Sequence, residues 1–155
     1  VSEEEADAIF ADLHRNLYQA FDYRTESEIY DVLALSTTGS FLRDVYLQVR
    51  KGLEMAEQGG AVARVKDVSI LAGQSQPWEG DVPANGQAFA YRCRWNVAGT
   101  VEHWGHIHER TNQNEAVFHV EALDGAWRVT QLELVDERRL EFETRLRGLS
   151  QGGDE

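Results

Sequence analysis

Two hydrophobic periods divide the chain. In the first sixty residues the apolar positions recur every three or four. Ala6, Ile9, Phe10, Leu13, Leu17 and Phe21 form one stripe, the spacing of a helix with one buried side. Ser2 and Glu5 precede it at capping-box spacing, so hydroxyl and carboxylate can each serve the other's backbone amide. Thr25 and Glu28 repeat that signature before a shorter stripe of Ile29, Tyr30 and Leu33. Gly39-Ser40 is expected to break this second helix. Leu42, Val45, Tyr46, Val49 and Leu53 then predict a third, stopping at Gly59-Gly60. Each helix has one apolar stripe and one charged side, so each must pack against something.

From Val62 onward the period falls to two. Val62 to Leu71 is rich in β-branched residues, and its alternation slips at Lys66-Asp67, where a bulge is expected. Gly73 to Gly86 reads as a long loop with two prolines and the isolated Trp78, which either caps a pocket or pins the loop. In "AFAYRCRWNV" one face carries Phe89, Tyr91, Cys93, Trp95 and Val97, and the other Ala90, Arg92, Arg94 and Asn96. Turns are expected at "AGT" around Gly99, at "TNQN", and at Asp124-Gly125, the strongest short hairpin signal. Between them run "VEHWGHIHER", "EAVFHVEAL" and "AWRVTQLELV". The expected architecture is α+β: three N-terminal helices packed on a curved antiparallel sheet of about four strands. Residues 1–149 are read as one domain. "DERRLEFETRLRGLS" is read as a strand end passing into a short helix or loose tail, and 150–155 as a disordered tail.

A turn at "TNQN" would set Arg110 opposite Glu115. His108 would then face Val117, His106 would face His119, and Trp104 would face Glu121. The core side would take Gly105, Ile107, Phe118, Val120, Trp127 and Val129, leaving Trp104, His106, His108 and His119 outward and His103 turned the other way. Glu121 would oppose Arg128 as a cross-strand charge pair. Two readings of this histidine group stand side by side. His106, His108 and His119 have the residue types for a transition-metal site. The plainer reading is an amphipathic outer face, on which Arg92, Arg94, Trp104, His106 and His108 would form an interface, since aromatics and arginine are enriched there.

Charge and composition narrow the roles. Fifteen basic residues against 27 acidic ones give a net charge of -12. That disfavours nucleic acid and anionic membrane surfaces, both of which need a basic footprint. Cys93 is the single cysteine, so no internal disulfide forms; the compartment stays open, and the thiol reads as a small buried hydrophobe. No apolar run approaches the length that spans a bilayer. The chain opens at "VSEEEAD", so we expect a processed form or a piece of something longer, with membrane contact only through segments outside it. No glycine-rich phosphate loop, nucleophile elbow or paired-carboxylate motif is present. No catalytic residue is assigned and no cofactor is expected. The candidate pocket residues are His14, Tyr30, Tyr91, Trp95 and His103, the polar and aromatic groups nearest the expected interior.

Two stretches carry a family resemblance: "ESEIYDVLALSTTGSFLRDVYLQ" and "WNVAGTVEHWGHIHERTNQNEAVFHVEALDGAWRVTQLELVDE". Helices followed by this texture of Trp, Gly, repeated aromatics and Gly-x-Trp resemble the nuclear transport factor 2-like superfamily, a cystatin-like α+β cone. Within it the chain looks most like the branch of the C-terminal domain of the mitochondrial import-motor membrane anchor. The likeness spans roughly residues 4–140. It implies a cone of α-helices wrapped by a curved antiparallel sheet, open or filled, and frequent pairing through the convex sheet face. No acid/base set of the superfamily's catalytic members maps onto this chain, so no active site is carried over. The expected role is a non-catalytic interaction domain of a larger, membrane-associated or exported bacterial protein, forming a homodimer through the outer sheet face. The alternatives are a binder of a small apolar ligand or an isomerase/dehydratase-like enzyme using the cone, and the histidine metal site.

Overall fold

The computed structural model describes residues 2–19, 26–57, 62–81, 83 and 87–140. The first helix, α1 (Glu3–Gln19), begins on the expected capping box. Ser2 N–H donates to Glu5 Oε1 at 2.9 Å, and Glu5 N–H donates to Ser2 Oγ at 3.1 Å. Its stripe buries Ala6, Phe10, Leu13 and Leu17, and His14 joins them. Phe21 and the Thr25 cap lie outside the described residues.

The second helix, α2 (Glu26–Ala34), ends before the expected Gly39-Ser40 break. Those two residues instead open α3 (Gly39–Glu57). The reason is tertiary. Val129 N–H donates to Ser36 O at 2.6 Å, and Thr38 N–H donates to Val129 O at 3.2 Å. The Thr37 hydroxyl donates to Leu33 O at 2.8 Å, satisfying a carbonyl at the helix end. A short parallel bridge thus hooks the α2–α3 connection onto the last strand. Leu17, Ile29, Leu33, Leu42 and Val49 close a core among the three helices.

The four strands are β1 (Val62–Gln76), β2 (Ala88–His103), β3 (His106–Leu123) and β4 (Ala126–Leu140). They pair in chain order as an antiparallel meander. Three helices followed by this sheet give the α+β architecture read from the pattern. The main core lies where α1 meets the sheet: Ala6, Phe10 and Leu13 pack on Phe89, Tyr91, Cys93, Trp95, Ala116, Phe118, Val120 and Val129. Side-chain parity along β2 is as expected, and so is the Lys66-Asp67 bulge, where the β1–β2 register shifts between Val65 and Asp67.

Three connections differ from the sequence reading. Gly73–Gln76 belongs to β1, not to the loop. "AGT" and "TNQN" are not turns; β2 and β3 pair without a break from Ala88↔Glu121 to His103↔His106. The reversal is at Trp104-Gly105, with φ of 52° and 81°. Both are positive, as a two-residue I′ hairpin requires. Asp124-Gly125 makes the same turn, as expected, with φ of 52° and 80°. Gly99 serves another purpose: a Cβ there would collide with the Arg64 carbonyl oxygen, with Val65 Cα only 3.4 Å away. Its missing side chain lets the β1 backbone approach. "TNQN" persists as strand because its amides find partners in the sheet. Gln113 Nε2 donates to Asn96 Oδ1 at 3.3 Å across the ladder, and Asn114 is buried opposite Trp95. At the chain's end, 136–140 continues β4; the expected helix or tail beyond it lies outside the described residues.

Candidate functional site

Three of the five expected pocket residues converge. His14 projects from α1 into an aromatic cluster, its ring 5.0 Å from Trp95, 5.1 Å from Tyr18 and 5.3 Å from Phe10. Phe10 stacks on Tyr91 at 4.4 Å and meets Phe118 edge-on at 4.8 Å. These rings fill the space beneath the sheet. Trp95 Nε1–H donates to the Tyr18 hydroxyl at 2.9 Å, and the Tyr91 hydroxyl donates to Asp7 Oδ1 at 2.5 Å. Tyr30 and His103 lie elsewhere. Tyr30 is exposed on α2 and meets Tyr46 of α3 edge-on at 5.7 Å. His103 closes the far end of β2.

Burial sets the charge states of the inner groups. It drops the His14 imidazole from 6.5 to about 4, because charging a base in an apolar shell forfeits its hydration. It pushes the Cys93 thiol up to about 12. Burial and the Asp7 carboxylate together raise the Tyr91 phenol. At neutral pH all three are uncharged. His14 acts as no cationic acid there, and Cys93 holds no thiolate.

The open space lies to one side of this cluster. A groove of about 450 Å³ runs between α1 and β1. Ala11, His14 and Tyr18 wall it from the helix, and Val65, Val68 and Ile70 from the strand; Arg15, Lys66 and Asp67 also border it. His14 Nε2 is buried with no hydrogen-bond partner. Arg15 is ion-paired with Asp12 at 3.1 Å, and the Asp67 carboxylate accepts from the Ser69 hydroxyl at 2.9 Å. Tyr18 and Lys66 were not among the pocket residues expected from sequence. One signal was available for each: Tyr18 lies one helical turn beyond His14, and Lys66 sits at the slip in alternation.

The corrected register redistributes the histidines. His106 pairs with His103, and His108 with Val101. Both therefore share parity with Phe118 and Val120, not with Arg92, Arg94 and His119. His103 lies on the same side as His106, contrary to expectation. Yet His106 and His108 sit where the sheet is uncovered, for residues 104–109 are all exposed. Trp104 is 82% exposed and Ile107 65%, so Ile107 is not the core residue expected. The His103 ring stacks on Trp104 at 4.2 Å, and the His106 and His108 rings lie 6.4 Å apart.

His119 is near the other end of β3, paired with Ala90 and Gln131. It is on the outer face as expected, but only 9% exposed. Trp78 covers it edge-on at 5.3 Å, and its own indole N–H donates to Asp81 O at 3.0 Å. That tryptophan pins its loop across the outer sheet face. His119 Nε2 is 3.9 Å from Glu133 Oε2, beyond hydrogen-bond reach. The expected His106, His108 and His119 triad is thus pulled apart, by about 40 Å of strand at the usual rise per residue. Among the described residues no three His, Cys, Asp or Glu side chains are grouped to hold a metal. Arg92 and Arg94 do occupy the outer face; Arg92 bonds Glu115 at 2.6 Å. Glu121 stands opposite Arg128 as expected, but each bonds elsewhere. Glu121 accepts from the Thr130 hydroxyl at 2.8 Å, and Arg128 donates to Ala34 O and Leu123 O at 3.0 Å.

No established protein family matches the chain, and no curated protein does. Among solved structures, the chain is similar to the crystal structure of the intermembrane space region of chloroplast protein ARC6. The TM-score is 0.58 at 15% identity, over 87% of this chain and 97% of that one. At such identity the likeness establishes the α+β fold. It does not by itself show the nuclear transport factor 2-like superfamily or its import-motor branch.

Proposed function

We propose that this chain is a non-catalytic interaction domain within a larger protein, and that it binds a second copy of itself through the tip of the β2–β3 hairpin. The observation that carries the reading is Trp104. A tryptophan 82% exposed, on a tight I′ turn three residues before a 65% exposed Ile107, is a large apolar anchor at a defined backbone position. Leaving such surface in water is unfavourable, and buried tryptophans dominate many interfaces. The aromatic interior supports the same reading, since His14, Tyr91 and Cys93 are uncharged at neutral pH and supply no cationic acid, phenolate or thiolate there. The fold shared with the intermembrane space region of the chloroplast protein ARC6 fits a part of a larger protein rather than a whole.

Sedimentation velocity over a concentration series tests this. Wild-type chain should self-associate. Trp104→Ala should weaken the association by about 2 kcal/mol, roughly thirtyfold, if the indole is an interface anchor. Far-UV circular dichroism should be unchanged, because the tip contributes nothing to the core. A wild type that stays monomeric at high concentration, or a variant that associates equally well, would sink the proposal.

A further inference from the structure

We propose that the α1–β1 groove is a binding site for a small monoanionic hydroxy acid with an apolar body, such as a hydroxyaryl carboxylate. This site is separate from the hairpin tip and from the ring-filled space under the sheet. Three independent features converge on it.

The first is an unsatisfied polar atom. His14 is 3% exposed and its Nε2 has no hydrogen-bond partner. Buried polar atoms in folded proteins are nearly always paired, because an orphan loses its hydration for nothing. His14 is also one of the residues that line the groove. A neutral imidazole nitrogen either donates or accepts, depending on the tautomer. A hydroxyl can do both, so it fits whichever form is present.

The second is size and lining. About 450 Å³ lies within the range of small-molecule sites, roughly 300–1,000 Å³. Ala11, Val65, Val68 and Ile70 give it apolar walls, and Tyr18 adds an aromatic one.

The third is the charge at the mouth. Residues 65–68 border the groove consecutively, which regular alternation forbids. The bulge between Val65 and Asp67 permits it, and it brings Lys66 to a rim that strand parity alone would deny it. Among the described residues no carboxylate lies within ion-pairing distance of Lys66, whereas Arg15 is engaged by Asp12. One uncommitted cation favours one negative charge. Asp67 nearby and a net charge of -12 disfavour a dianion such as a phosphate monoester. A ligand hydroxyl on His14, an apolar body on the valines and a carboxylate toward Lys66 would satisfy all three features at once.

The test is a protein-observed NMR titration of the full chain with 4-hydroxyphenylacetate. Two truncated probes run beside it: phenylacetate, without the hydroxyl, and 4-methylphenol, without the carboxylate. The hydroxy acid should saturate the protein with shifts confined to α1 and β1, and each truncated probe should bind about tenfold more weakly. His14→Phe should abolish the preference for the hydroxy acid over phenylacetate. Lys66→Gln should abolish the preference over 4-methylphenol. Lys66 is exposed, so that second variant keeps the test decisive if His14→Phe fails to fold. Trp104→Ala should leave binding unchanged, which separates this proposal from the hairpin reading. Absence of saturable binding at millimolar concentration, equal affinity for the three probes, or shifts centred on the hairpin would each overturn it.

Discussion

Replacing His14 should remove an acid sensitivity from the fold. The imidazole is held neutral by burial, at about 4 against an ordinary 6.5. The unfolded chain therefore binds a proton between those two values while the native chain does not. Stability then rises with pH across that window; it is present in full above 6.5 and is lost as the pH falls toward 4. The complete effect is the difference of the two values, about 3.4 kcal/mol, of which about 2 kcal/mol is already lost at about pH 5. The charged groups bordering the same groove are Arg15 on its own helix and Lys66 and Asp67 on β1. Urea unfolding of wild type and His14→Phe, at about pH 7.5 and about pH 5, isolates this contribution, because the carboxylates titrate alike in both proteins. Phenylalanine keeps a ring among Phe10, Tyr18, Trp95 and Phe118 but cannot be protonated. The stability of wild type relative to the variant should fall by about 2 kcal/mol on acidification. Parallel pH dependences would refute the assignment of a buried, neutral imidazole, and would mean that His14 is hydrated in solution.

Gly99→Ala should destabilise by about 2–4 kcal/mol in urea unfolding, from overpacking plus lost ladder bonds beside the Arg64 carbonyl. Gly125→Ala, which meets open space, should cost only about 1–2 kcal/mol of positive-φ strain; equal tolerance at both sites would contradict the close β1–β2 approach. Cys93, fully buried with its thiol pushed up to about 12, should resist a disulfide reagent at mildly alkaline pH in the native chain and react fully once denatured. Reaction at the same rate in both states would place the thiol at the surface. Excess zinc should raise the melting temperature no more in wild type than in His119→Ala, because His119 is far from His106 and His108 along the strand; a zinc stabilisation that disappears with His119 would restore the three-histidine site.

Much of the architecture was legible in the sequence because it rests on short-range physics. The Ser2–Glu5 cap, the 3.6-residue stripe of α1, the inward parity of Phe89 to Trp95, the slip at Lys66 and the Asp124-Gly125 turn each involve residues a few positions apart. Helices with one apolar side and a sheet with one apolar face then cover each other, which settles α+β. The site was less legible. His14, expected only as a group near the interior, is buried within the α1 stripe. Whether its nitrogen finds a partner depends on β1, about fifty residues further along.

Only the tertiary structure decided where β2 turns into β3. Gly99, Trp104-Gly105 and "TNQN" are all credible reversals when read locally. The choice among them depends on cross-strand partners: Arg64 pressing on Gly99, Asn96 bonding Gln113, and Trp95 opposite Asn114. Those contacts turn a polar tetrapeptide into strand and send the hairpin on to Trp104. Side chains alternate along a strand, so moving one turn reassigns the histidine partners: His106 meets His103, and His119 goes under Trp78. Pattern along the chain fixes which residues prefer a face, while pairing between distant strands fixes which of them meet.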